Sequence, residues 1–590
     1  MKEVCKRYGL LSLIIVLALA GMLYYGNRKE GYHVDEMFSY GLANSEYLPF
    51  MHFGENEYDV KDWMKEYGAG ESLADLCRNL IKDFGILKDC GFRLKESVIY
   101  QDFLRARENS ADTRTTTWVS GQDYQDYISV SESNTFNYFS VYYNQRGDVH
   151  PPLYYIFLHT VCSVFQGSFS KWYALAVNML FLTLTILLLY RTAERHFGGR
   201  GLALAVSAVY GLSVGLITSA VYLRMYAVLT FMTLFFLYGH FEEAENGFEI
   251  KGKGRRRLIL GALLGFLTHY YFVVYAAAMA AVFVIWMCCE KRWRAVFRYL
   301  TAMASAAVIG LCVWPYAIRH VFGGYRGYEA FQVVANREFY LIKLKFILYQ
   351  IGQQLFGGQG QWVLLPIVLI LTVVLAAVNR KKKNYAGKAM LLLIPAAFYC
   401  VLISQIVPLY VERYFMNLFP LCSLLTVFCA REVPLYVLSQ RRISETKAGR
   451  QREKIGMAAA AAAALVLVLL NNGAVNLPNY LYLDGQETAT VPEGADCVYV
   501  LQDGSWNSSA VDSCILARCR RVGVVYASEL ECLSDGYEYK PEEWVIVAVS
   551  EELETDEVVN EVKDVLGLTA VSEEFRENGS TGTRVYLKVR

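Results

Sequence analysis

The stretch LILGALLGFLTHYYFVVYAAAMAAVFVIWMCC, residues 258–289, decides how the chain is read. It is 32 residues long and carries no charged side chain. Arg255, Arg256 and Arg257 precede it, and Lys291 and Arg292 follow. An apolar helix needs about 20 residues to cross a bilayer, so the run is too long for one span and short for two. A single helix would leave one basic cluster outside. A tight hairpin of two short helices puts both inside, as the bias of Lys and Arg toward cytoplasmic loops favours. The hairpin is the expectation, with His269, Tyr270 and Tyr271 at its tip.

Similar apolar runs recur outward from this one. Spans are expected near 8–26, 171–190, 201–220, 225–240, 295–315, 361–379, 387–406, 414–431 and 455–472. The apolar stretch Pro151–Phe165 is short, and reads as a span or as a helix lying at the interface. Basic residues open the chain (Lys2, Lys6, Arg7) ahead of the apolar run from Leu10 to Leu23, which reads as an uncleaved first span. The basic segments Lys251–Arg257, Lys291–Arg298, Arg380–Lys383 and Arg441–Lys454 read as cytoplasmic. Arg224, His269, the segment from Arg319 to Lys345 and the segment from Tyr410 to Tyr414 then fall on the outer side. With 55% hydrophobic and 19% charged residues, the composition agrees with a membrane protein. A net charge of +1 gives no reason to expect a nucleic-acid partner.

Two segments are not membrane-like. Residues 27–150 form a loop far longer than a connector needs, with an amphipathic helical pattern at Leu73, Leu76, Leu80, Ile81 and Phe84. In the tail, Cys497–Leu501, Arg521–Tyr526 and Trp544–Val549 read as strands, with a helix near Asp556–Leu566. The expected organisation is a first span at 1–26, a large extracytoplasmic loop at 27–150, a multi-span domain at 151–472 and an extracytoplasmic α/β domain at 473–590. The fold class is an α-helical polytopic membrane protein of about 10–13 spans with a small C-terminal α/β soluble domain.

Several of the 14 cysteines, among them Cys288, Cys289, Cys312, Cys400, Cys422 and Cys429, lie inside apolar runs and read as packing residues. Cys514 and Cys519 are weighed as a disulfide, with reduced thiols the favoured reading. No P-loop and no glycine-rich dinucleotide fingerprint is present, so an activated donor, if there is one, is not recognised by a nucleotide motif.

Four places carry residues suited to chemistry. Asp35-Glu36 follows the first span closely. Paired carboxylates near apolar surroundings are costly, and one of them is able to act as general base; the plain alternative is a solvated acidic pair. Asp148-Val149-His150-Pro151-Pro152-Leu153-Tyr154-Tyr155 ends the long loop. Its prolines suit a helix start, which is one reading; the other is a rigid corner that holds Asp148 and His150 near the Asp35 region. Arg224-Met225-Tyr226 sits at an outer boundary, where an arginine either snorkels or binds an anion. Glu412-Arg413-Tyr414 lies between two spans. The arginine there either pairs with Glu412 or grips a phosphate with its two-pronged fork. His269 and Tyr270 at the hairpin tip read as site-shaping residues or as a polar turn.

An acidic pair after the first span, then HPPLYY, then a later Arg-Tyr before another span resembles the polyprenyl-phosphate-dependent glycosyltransferases of the GT-C type. The resemblance is to the branch of protein O-mannosyltransferases and aminoarabinose transferases (glycosyltransferase family 39-like), over residues 8–430. It implies a GT-C fold and transfer of a sugar, with inversion, from a polyprenyl-phosphate carrier to an extracytoplasmic protein, lipid or cell-wall glycan. It implies Asp35 as base, Glu36 as its companion acid, and Arg413, Arg224, Tyr226 and Tyr414 at the donor phosphate. It also implies a multi-pass protein of the cell membrane with its active site on the extracytoplasmic face. Some family members hold a divalent metal; His269 and Glu36 are the ligands to consider, although no metal-ligand spacing is visible, and no other cofactor is called for. The long 27–150 loop and the soluble tail depart from simpler members and leave the acceptor open. A transporter or flippase of lipid-linked sugars is the alternative, disfavoured by the lack of an internal repeat. A non-enzymatic scaffold is the second.

Overall fold

The structure is a computed structural model. It describes residues 2–49, 118–322, 340–357, 364–379, 385–407, 412–440, 445–474, 479–483, 491–503, 508–534, 537, 542–568, 570–579 and 581–590. The amphipathic pattern at Leu73 to Phe84, the segment around Tyr410 and most of the segment from Arg319 to Lys345 lie outside these residues. The described chain divides into two compact units.

The first unit comprises 1–27, 175–317 and 329–481, and is a helical bundle. The 258–289 run is the expected hairpin: helices Gly252–Thr268 and Tyr271–Cys289 meet at a turn through His269 and Tyr270. The turn is closed by the His269 carbonyl, which accepts the Phe272 N–H at 3.0 Å. Gly265 lets the two legs approach, because a Cβ there would fall 2.4 Å from the Phe272 ring.

Among the described residues seven helices are long and apolar enough to cross a membrane. They are Tyr8–Arg28, Lys171–Gly198, Tyr271–Cys289, Trp293–Val313, Tyr385–Ile406, Glu412–Val437 and Glu453–Gly473. The 201–220 run is a pair, Arg200–Gly211 and Val214–Val221, bent by 54°, which would make eight. Among the described residues, Leu364–Val378 with 15 residues and Gly252–Thr268 with 17, which opens with basic residues, are not counted among these. The protein is a multi-pass, mostly helical membrane protein.

The second unit comprises 28–174, 318–328 and 482–590. Its sheet has six strands: β1 Trp118–Ser120, β2 Asp496–Leu501, β3 Arg521–Tyr526, β4 Trp544–Ser550, β5 Val571–Asn578 and β6 Gly582–Val589, in the order β1-β3-β2-β4-β6-β5. β2 runs parallel to β3 and β4, and the other pairings are antiparallel. Side chains alternate faces along a strand, so both faces of β2 have to be covered. Val498 and Val500 pack with Val545, Val547 and the helix Thr555–Val565 on one side; Cys497, Tyr499 and Leu501 pack with Tyr586 and with Tyr124 from the 27–150 loop on the other. Cys514 and Cys519 are free thiols.

At this second face Asp512, 1% exposed, pairs with Arg584, 5% exposed, at 2.7 Å. Its carboxylate also accepts from the hydroxyls of Tyr499 (3.1 Å) and Thr581 (3.0 Å). Removing one partner of such a pair strands a buried charge at a cost of about 3–5 kcal/mol. Asp512→Ala should therefore speed hydrogen exchange of β2, β4 and β6 by about a hundred-fold or more, while exchange in the Tyr271–Cys289 helix stays unchanged.

Candidate active site

The sequence-derived site residues fall into two groups, one in each unit. Asp35 and Glu36 open the helix Val34–Asn44. His33 caps it: its Nδ1 accepts the Asp35 N–H at 3.1 Å, and Glu36 Oε2 accepts the His33 N–H at 2.8 Å. This is the reciprocal capping box that satisfies the first backbone donors of a helix. It also gives the two carboxylates different fates. Glu36 is fully buried and pairs at 3.0 Å with Lys29, itself only 3% exposed; Lys29 also donates to the Tyr482 carbonyl at 3.0 Å. The Asp35 side chain keeps a quarter of its surface open. Asp35 Oδ2 also approaches His33 Nδ1, at 3.7 Å.

The corner after the long loop belongs to the same unit. Asp148 caps the C-terminus of helix Tyr138–Gly147, and its carboxylate meets His150 Nδ1 at 2.8 Å. Pro151 and Pro152 are buried, and Pro152 leads into helix Leu153–Val164, where Tyr154 and Tyr155 are fully buried. The Tyr138–Gly147 helix is tied to the acidic helix by Asn144, which donates to the Leu42 and Ser45 carbonyls. His320, which sequence reasoning passed over, is 5% exposed and bonds the Arg146 carbonyl at 3.2 Å. Burial pushes its pKa down to about 4; Arg319 and His150 add to that, and the Arg146 carbonyl and Asp148 oppose it.

Beside Lys29 lies a cavity of about 700 Å³, walled by Tyr32, Phe169, Lys171 and Trp172 and, from the tail, by Cys514 and Arg518. Burial raises the Tyr32 hydroxyl well above its ordinary pKa and the Cys514 thiol to about 12, so both stay protonated at neutral pH.

In the bundle, Arg224, Tyr226, His269, Arg413 and Tyr414 share one neighbourhood. Arg413 is 6% exposed and donates to the Tyr222 hydroxyl at 2.6 Å. Its guanidinium lies 5.7 Å from the Tyr222 ring and 5.4 Å from the Tyr414 ring. Tyr222 stacks on Tyr226 at 5.7 Å; Tyr226 in turn lies 5.7 Å from His269 and 6.2 Å from Tyr414. Tyr271 closes the ring of contacts, 4.6 Å from His269 and 5.4 Å from Tyr414. Arg224 is 4% exposed in the connection between helices Val214–Val221 and Tyr226–Glu245. Tyr270 takes a different partner, accepting the Trp314 indole N–H at 2.8 Å. Tyr222 was the residue missed here; its spacing of two and four residues from Arg224 and Tyr226 is the signal that points to it. Two buried arginines, one of them bonded to a tyrosine hydroxyl, suit an anion such as a phosphate.

Glu36 is taken up by Lys29 and the helix cap. Among the described residues no group of three or more His, Cys, Asp or Glu side chains is placed to hold a metal ion.

Residues 149–316 match the family described as dolichyl-phosphate-mannose-protein mannosyltransferase. The match begins at the His150-Pro151-Pro152 corner and takes in Arg224 and His269, so it falls on motifs that carry the resemblance read from the sequence. Over these residues the chain is similar to that family. No curated protein matches it. Among solved structures it is similar to ArnT from Cupriavidus metallidurans bound to undecaprenyl phosphate, with 9% identity, 99% of this chain and 98% of that chain covered, and a TM-score of 0.44. It is also similar to the arabinofuranosyltransferase AftD from Mycobacteria, with 12% identity, 70% and 33% covered, and a TM-score of 0.31.

His320 leads to a pH test. The unfolded chain takes up a proton near pH 6.5, while the folded histidine waits until about 4. Its contribution to stability is whole above pH 6.5 and declines as the pH falls toward 4, by about 2 kcal/mol at pH 5. Thermal unfolding in detergent at pH 7.5 and pH 5 should show this loss, and His320→Gln should reduce it.

Proposed function

We propose that this protein transfers a glycosyl group from a polyprenyl-phosphate-linked sugar to an acceptor outside the membrane, inverting the anomeric centre. The observation that carries the reading is the family match at residues 149–316. The two groups of residues have chemistry that suits it. Asp35 takes the proton from the acceptor hydroxyl as its oxygen attacks the anomeric carbon. The bond from that carbon to the carrier phosphate breaks, its electron pair stays on the phosphate oxygen, and the lipid phosphate leaves. Arg413 and Arg224, with the hydroxyls of Tyr226 and Tyr414, bind that phosphate and stabilise its growing charge. Glu36 acts as a positioning residue: bonded to Lys29 and to the backbone of His33, it sets the first turn from which Asp35 projects. Asp148, His150 and the two prolines shape the corner. The cavity beside Lys29 receives the acceptor.

The test uses purified protein in lipid, a panel of radiolabelled polyprenyl-phosphate sugars and a membrane and wall extract as acceptor source. Wild type should label an acceptor. Asp35→Asn should lower the rate by about 10²–10⁴-fold with donor binding intact, as expected for loss of a general base. Arg413→Gln should weaken donor binding itself. Donors that bind wild type without any transfer would favour a transporter of lipid-linked sugars, and the absence of donor binding would remove the reading altogether.

A further inference from the structure

The bundle holds a second polar cavity, of about 330 Å³. Three elements build its charged wall. His196 and Phe197 come from the π-helical turn Glu194–Gly198, Tyr385 and Lys388 from the start of helix Tyr385–Ile406, and Arg431 and Glu432 from helix Phe419–Gln440. Arg431 lies 12 residues beyond Phe419, roughly 18 Å along that helix from the end that follows Arg413. The cavity therefore sits toward the other end of the bundle, the end whose loops are basic.

Arg431 is the central observation. Its Nη1 donates to the Phe197 carbonyl at 3.1 Å and to Glu432 at 2.8 Å. Its Nε is buried and has no hydrogen-bond partner among the described residues, and neither of its bonds uses Nη2. The Nε–Nη2 edge presents two parallel donors, the fork that fits two oxygens of a phosphate. Lys388 donates to Glu245 and to the His196 carbonyl, at 3.3 Å for the latter, which leaves one of its three N–H donors. Gly198 fixes the arrangement. Its φ is +143°, and a Cβ there would stand 2.4 Å from Arg431 Nη1, so only glycine allows the guanidinium this seat. A π-helical turn is uncommon and often marks a functional site. Asn379 and Tyr385 both line the cavity, and the sequence joining them is Arg380-Lys381-Lys382-Lys383-Asn384. Those five residues are outside the described chain and no part of the site.

We propose that this cavity binds a phosphate group, held by the Nε–Nη2 edge of Arg431 and the remaining N–H of Lys388. Its volume exceeds that of a bare phosphate and accommodates a small headgroup. The phosphate belongs either to a lipid of the leaflet on the basic side or to a soluble ion. The site is independent of the transfer chemistry.

The experiment uses the full chain in neutral detergent and reads thermal stability and direct binding by native mass spectrometry. The probes are phosphatidic acid, phosphatidylcholine as control, and inorganic phosphate. Phosphatidic acid should raise the unfolding midpoint of wild type and bind it, with phosphatidylcholine doing neither. Arg431→Gln and, separately, Lys388→Gln should bind about ten-fold or more weakly, and Arg431→Lys, which keeps the charge and loses the fork, should also weaken binding. The Lys388 variant guards against misfolding, since Arg431 also ties down Phe197. Inorganic phosphate matching the lipid would assign the site to a soluble ion. Wild type binding neither probe, or both glutamine variants binding as wild type does, would overturn the proposal.

Discussion

A lysine and a glutamate, both removed from water, hold the start of the second unit in place. Lys29 follows the first helix directly, and Glu36 is one turn into the next. A buried pair gains little net stability, because the desolvation of both charges offsets most of their attraction. What it supplies is register. Glu36 Oε2 meets both Lys29 and the His33 N–H, so the first turn of the acidic helix has one favoured orientation. Asp35, the residue before it, keeps a quarter of its side chain open. Two adjacent carboxylates of the same chemical kind end in different environments, one buried against Lys29 and the helix cap and one partly open.

The bundle handles charge differently. Arg224 and Arg413 are buried, and the faces of Tyr222 and Tyr414 lower the cost of holding the Arg413 guanidinium out of water. The cluster is rigid for a simple reason: each ring is packed on the next, from Tyr222 through Tyr226 to His269, Tyr271 and Tyr414. A positive site assembled before any ligand arrives needs little reorganisation to receive a phosphate.

Much of this was legible from residue order. The strands at 497–501, 521–526 and 544–549 were readable because central strands covered on both faces are nearly continuous apolar runs. The hairpin at 258–289 was readable because charge at both ends leaves few ways to fold it. The different environments of Asp35 and Glu36 were not readable, since nothing in the order of residues says which carboxylate meets Lys29. Tyr222 and His320 were missed for a related reason: their importance rests on contacts with residues more than a hundred positions away. Strand β1 was missed because three residues, Trp118 to Ser120, are too few to show a period.

That short strand bears on how the protein is made. β1 pairs with β3, and the 400 residues numbered 121–520 separate them. At about 5–20 residues per second a ribosome needs roughly 20 to 80 s to cover that distance. The bundle's helices are thus synthesised and inserted while Trp118 still lacks its partner strand. The tail then emerges last and completes its sheet by capturing an edge delivered at the beginning. A separately produced tail would lack that strand and expose the flank of β3 to pairing with other chains. The order of synthesis and the order of assembly run in opposite senses, and Trp118 waits for residues 521–523.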